Sequence, residues 1–286
     1  MANQRLKRKQ NNPNSDFYVD STCINCGTCY WMAPTIFKNH EGQSIAYDNG
    51  KANKQVQTKA INALLSCPTQ SIGKASGNKT LTSLPQIIED DVYHFGYHSE
   101  KSFGGTPYYI NNHGGILIDS PRFNNKTVTS LKDLSGLKWQ LLTHKDGIAD
   151  TNEFQKIFNS KRMIHEGDVC AHTNNWETYF NGDDEIMLKE DLIVIPTPGH
   201  TKGSVCYLYK KKFLFTGDHL CFSRKLNQLI GFKNHCWYSN DHLIRSMEKL
   251  LQYKFSWILP EHGAPFHCPS DQMKIELKKC IDYLKC

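Results

Sequence analysis

Three cysteines, Cys23, Cys26 and Cys29, are separated by two residues each in the stretch CINCGTC, and a fourth, Cys67, precedes Pro68. At these gaps one tight loop can turn three thiolates inward. Each iron of a cubane cluster takes one thiolate, so a fourth ligand must come from elsewhere in the chain. Cys67 lies 38 residues after Cys29 and, being followed by proline, has the form of that remote ligand. Four thiolates also suit a tetrahedral zinc ion. Three cysteines at two-residue gaps wrap a cubane better than they pair around one ion, and a three-iron cluster would leave one of the four candidates without a role.

This stretch resembles a single-cluster [4Fe–4S] ferredoxin of bacterial type. In two-cluster ferredoxins a Cys-Pro closing the run serves the other cluster. Here that position is Ala33-Pro34, and the chain has no second run of the same spacing. The resemblance implies one [4Fe–4S] cluster on Cys23, Cys26, Cys29 and Cys67, in an α+β ferredoxin-like domain at residues 16–77.

A second group of metal-compatible side chains follows. LLTHKDGIAD, PTPGHTKGS, LFTGDHL and LPEHGAP each put a His or Asp after an apolar strand. A lone His there is usually a hydrogen-bonded loop residue, but four such edges in one order form a pattern. The ensemble resembles the metallo-β-lactamase superfamily, supported by GGTPYYINNHGGILIDSPRF as its opening hairpin. That implies an α/β four-layer αββα sandwich over residues 92–286. By the same resemblance His144, His200, Asp218 and His262 are metal ligands, with Asp218 bridging two ions. Asp146 stands where the family has its second His, and Ile148-Ala149 replace the usual Asp-His, making Asp150 the next available acid. The expectation is one metal position from His144, Asp146, His200 and Asp218, and a second near Asp150, Asp218 and His262. Carboxylate in place of imidazole hardens such a site, shifting preference from zinc toward iron or manganese. His165 and His219 are pocket candidates.

Such a site implies metal-dependent hydrolysis of a small ester or thioester, with Asp218 or Asp150 orienting water or accepting its proton. Hydrolysis moves no electrons, so the cluster leaves two further readings open. One is an iron-dependent oxidoreductase whose cluster feeds the metal site; the other is a non-catalytic, redox-linked binding protein. The expected partners are a small-molecule substrate and a redox partner protein.

The elements that must position these groups are visible in the periodicity. KQVQTKAINALLSC reads as a helix stopped by Pro68; PYYI and GGILIDS as a hairpin; LIVIP as a buried strand; SVCYLYKKKFLFTGD as another hairpin. NDHLIRSMEKLLQY and SDQMKIELKKCIDYLK are amphipathic helices. Residues 78–91 read as a linker and 1–15 as a disordered basic arm. The first ten residues carry four of the basic side chains behind the net charge of +6, so the basicity is local and does not make a nucleic-acid surface. No apolar run approaches the ~20 residues of a membrane span, and no apolar segment follows the basic start, so the expected location is cytoplasmic, with an organelle equally compatible.

Overall fold

The computed structural model describes residues 2–47, 54–76 and 83–286. In the N-terminal part, Phe17–Val19 pairs antiparallel with Ile72–Lys74, and Phe37–His40 with Gln43–Ala46. Helices Thr28–Met32 and Lys54–Ser66 close over a core of Phe17, Val19, Ile36, Phe37, Ala60 and Ala63. The alanines let the longer helix approach closely where larger side chains would not fit.

Residues 2–15 are not a free arm. Asn11 is buried and its side chain acts as a missing piece of sheet. The amide donates to the Val19 carbonyl at 2.7 Å, and Oδ1 accepts from Val19 N at 3.0 Å and Ala46 N at 2.9 Å. Arg8 reaches the Ser44 carbonyl at 3.0 Å. An asparagine that joins two strand edges is invisible to composition, which registers only polarity.

The remainder is a sandwich of two sheets. One has seven strands, running in space from Thr178–Phe180 at one edge, through Lys161–His165, Trp139–Leu141, Ile116–Ile118, Tyr108–Ile110 and Val92–His94, to Gln86–Glu89. The other has six, from Ile186–Lys189 through Leu192–Pro196, Val205–Tyr209, Phe213–Gly217 and Trp257–Pro260 to Phe266–His267. Inward residues such as Tyr108, Ile118, Val194, Tyr207 and Phe215 form the core between the sheets. Helices Asn240–Leu250 and Ser270–Lys285 cover one outer face through Leu243, Met247, Leu277 and Ile281, while Leu131 and Phe154 belong to the cluster covering the other. The four-layer αββα expectation holds. The linker does not extend to residue 91: Gln86–Glu89 is an edge strand paired with Val92–His94, because Ile88 finds the inter-sheet core to pack on. Residues 78–82 of the expected linker, and the boundary at 77, lie outside the described residues. No helix among those described is long and apolar enough to cross a membrane.

The two parts are docked by a half-buried arginine. Arg122 donates to the carbonyls of Leu65 at 2.8 Å, Cys67 at 2.6 Å and Pro68 at 3.3 Å. These carbonyls lie at and just beyond the C-terminal end of helix Lys54–Ser66, where a cation is favoured. Arg122→Ala is expected to cost about 2–4 kcal/mol of docking stability, the range for losing buried charge-assisted hydrogen bonds. Hydrogen exchange over residues 54–76 checks this; unchanged protection would refute it.

Candidate metal and cluster centres

The four cysteines are free of disulfides and line one small closed void. Backbone amides point at the sulfurs: Asn25 N and Ser44 N at 3.4 Å from Cys23, and Ser71 N at 3.3 Å from Cys67. Ser44 Oγ lies 3.1 Å from Cys29 Sγ. Such donors stabilise thiolate charge. Burial pushes the unliganded thiols of Cys26, Cys29 and Cys67 up, Cys26 to about 11, so iron must displace their protons.

Strand ends of the sandwich converge on the second centre. His144 follows Trp139–Leu141, His200 follows Leu192–Pro196, Asp218 follows Phe213–Gly217, and Glu261-His262 follow Trp257–Pro260. One ligand atom from each of His144, His200 and Asp218 comes within 4.8 Å of the others, and the same holds for Asp218, Glu261 and His262. Asp218 Oδ2 is 3.9 Å from His144 Nε2 and 3.8 Å from His200 Nε2, while its Oδ1 is 2.8 Å from His262 Nδ1. His200 donates from Nδ1 to the His235 carbonyl at 2.6 Å, which leaves the Nε2 lone pair for a metal. Asp146 Oδ2 stands 3.2 Å from His200 Nε2 with its side chain 47% exposed, at the rim of the group.

Glu261 is absent from the expected ligand set. It is 1% exposed, with Oε2 2.6 Å from His144 Nε2, yet neither atom completes an aligned hydrogen bond, and His262 Nε2 also lacks a partner. Orphaned buried donors and acceptors around a common point are what a missing cation leaves behind. The available sequence signal was an acid ending the apolar run WILPE. Asp150, expected at the second position, is engaged elsewhere: one oxygen pairs with Lys101 and the other accepts from Phe123 N at 2.8 Å. The tight turn through Ala149 (φ +38°) carries Asp150 to the start of helix Thr151–Phe158. Glu261 therefore takes its place beside Asp218 and His262. His165 lines a different cavity, with Nε2 on the Gly182 carbonyl at 3.0 Å and Nδ1 accepting from Gly167 N. His219 is buried with both nitrogens unpartnered; burial, then the charge of His200, pushes it down to about 3.

Electrostatics match a cation site. Burial works against charge on His144, but Glu261, with Asp218 and Asp119, outweighs it and raises His144 to about 10. Burial likewise disfavours charge on His262, and Asp218 reverses this to about 9. Against the cost of its own burial, the charge of His262 holds Asp218 far below the usual carboxylate range. Metal ligation requires neutral imidazoles. At pH 7 metal binding is therefore expected to release about two protons, readable by calorimetry in buffers of different ionisation enthalpy. Glu261→Gln should reduce release to about one proton and weaken binding at least ~10–100-fold; wild-type-like values would refute this. In the metal-free protein, the raised His144 stabilises fully below its unfolded value near 6.5, and that contribution is lost as pH climbs toward 10.

The two centres adjoin. A Cβ on Gly104 (φ +88°) would sit 2.9 Å from Cys26 Sγ, and one on Gly105 would lie 2.1 Å from Glu261 Oε1. With one Cα–Cα step between these glycines, Cys26 Sγ lies within about 12 Å of Glu261 Oε1. Beside this path, Thr28 Oγ1 is 3.3 Å from Cys26 Sγ and 3.2 Å from His98 Nδ1. His98 Nδ1 donates to the Gly104 carbonyl at 2.9 Å, and His94 Nε2 donates to His98 Nε2 at 2.9 Å. Both rings are buried, which pushes His94 down to about 4. Neither histidine bears a distinguishing sequence pattern.

Comparison with known proteins agrees with this geometry. Residues 19–74 match the 4Fe-4S single cluster domain of Ferredoxin I. The chain is 27% identical over 186 residues to hydroxyacylglutathione hydrolase of Buchnera aphidicola subsp. Acyrthosiphon pisum (strain APS), covering 62% of this chain and 72% of that one. The DIM-1 metallo-β-lactamase superposes with a TM-score of 0.53 at 17% identity, over 69% of this chain and 95% of its own. A metallo-β-lactamase from Pontibacter korlensis gives 0.53 at 19%, over 70% and 97%. The protein thus joins a single-cluster 4Fe–4S ferredoxin domain to a domain of metallo-β-lactamase fold.

Proposed function

We propose that the protein is a metal-dependent hydrolase of a small thioester or ester. The observation that carries this reading is the convergence of His144, His200, Asp218, Glu261 and His262 beside the half-exposed Asp146. The likeness to a hydroxyacylglutathione hydrolase supports a thioester. A divalent ion held there polarises an acyl carbonyl and acidifies water. The two carboxylates among these residues, Asp218 and Glu261, favour iron or manganese over a nitrogen-rich zinc centre. In the metal-free protein the contact with His200 Nε2 lowers the pKa of Asp146; with Nε2 turned to a metal, this half-exposed carboxylate is left to take a proton from attacking water. Asp146→Asn is expected to lower kcat by about 10²–10⁴-fold with metal content unchanged. Thioester turnover by anaerobically purified protein tests the reading; none with any of zinc, iron or manganese would refute it.

A second reading is favoured by one observation, the Gly104–Gly105 contact between the cluster ligand Cys26 and Glu261. A cluster so placed could exchange electrons with an iron held at the second centre, making the chain an oxidoreductase. Dithionite-dependent turnover with iron in excess of the cluster would favour it over hydrolysis.

A further inference from the structure

The cluster loop and the hairpin Leu220–Ser223/Gln228–Gly231 enclose a cleft of about 450 Å³, within the range of small-molecule sites. His262, a candidate metal ligand, opens onto it. So does His235, whose carbonyl orients His200. Tyr30 and Trp31 of the ferredoxin domain form one wall and Phe222 and Phe232 of the sandwich another. Phe103 also lines the cleft, its ring 6.3 Å from that of His262 and 55% exposed. The lining contains no acidic side chain but does contain Arg224 and Lys225. Arg224 Nη2 donates to the Trp31 carbonyl at 3.1 Å, which ties the guanidinium to the cleft wall. Among the described residues neither cation has a carboxylate partner.

We infer that this cleft between the two domains is the substrate site, and that it takes a small organic anion with an apolar acyl or aryl body. Arg224 and Lys225 hold the anionic end and the aromatic walls hold the body, with the reacting carbonyl toward His262. This rests on the hydrolase reading for the carbonyl alone. The charge preference follows from two exposed cations without carboxylate partners at the edge of a largely apolar cleft, and it should weaken as salt rises. The ferredoxin domain then shapes specificity, and Cys26, which also lines the cleft, brings the cluster into contact with whatever occupies it.

The test uses the full-length holoprotein and two probes, 4-phenylbutyrate and its neutral analogue 4-phenylbutanol, titrated calorimetrically. The acid should bind about tenfold tighter or more, and it should alter the paramagnetic resonance of the reduced cluster. In an Arg224→Gln/Lys225→Gln variant with unchanged cluster absorbance, the two affinities should become equal. Phe103→Ala should weaken both probes alike. A preference that survives the double substitution places the carboxylate on the metal and overturns the inference, as would equal binding of both probes to the wild type or a cluster signal indifferent to them. Binding is read without turnover, so failure to hydrolyse thioesters would refute the hydrolase reading and leave this result standing.

Discussion

Asp218→Ala should abolish metal retention and reduce thioester hydrolysis by about 10³-fold or more. Asp218 is common to both ligand groups, and its two oxygens face different partners: Oδ2 toward His144 and His200, Oδ1 toward His262. Removing it leaves Glu261 as the main counter-charge for His144 and leaves His262 with no hydrogen-bonded acid, so the pKa of His262 should fall from about 9 toward its ordinary value. Elemental analysis and imidazole titration by NMR follow the two effects separately. A variant that keeps stoichiometric metal and activity would remove Asp218 from the site and leave the fold without a catalytic assignment.

The second large effect is expected from Cys67→Ala. The closed void behind this residue is lined by all four cysteines, and cluster binding contributes directly to folding, as in small metal-organised domains. Loss of the visible cluster absorbance and about 5 kcal/mol or more of stability in residues 2–76 should follow. The damage spreads through position: the Cys67 carbonyl receives Arg122 at 2.6 Å, and Tyr30 and Trp31 wall the cleft. Under the hydrolase reading KM should rise about tenfold while kcat stays within roughly threefold, since substrate contacts are lost and the metal ligands remain. Under the oxidoreductase reading turnover should disappear altogether. Steady-state kinetics on the metal-loaded variant separate the two.

The chemistry-bearing residues were legible wherever spacing or a strand end exposes them. The Cys-x₂-Cys-x₂-Cys run with its remote Cys67 is a local pattern, because a tight loop must place its thiolates at fixed intervals. His144, His200, Asp218 and His262 each follow an apolar strand, and a layered sheet brings such ends to one edge. Asp150 misled because its distance from His144 along the chain suggested a ligand, whereas the turn at Ala149 redirects it toward Lys101. Asn11 looked like part of a solvated arm because polarity alone does not reveal a side chain that completes two strand edges.

The sequence by itself determined the two modules and pointed to most of the candidate ligands, since motif spacing and strand periodicity are properties of contiguous chain. Only the tertiary structure decided that Glu261 faces His144, that His94 and His98 pair in the interior, and that Cys26 and Glu261 flank the same pair of glycines. These depend on elements far apart in sequence being docked through backbone carbonyls at Leu65, Cys67 and Pro68 and through glycines that leave no room for a side chain. Carbonyls are common to every residue, so a docking surface built from them leaves no mark in the order of the amino acids.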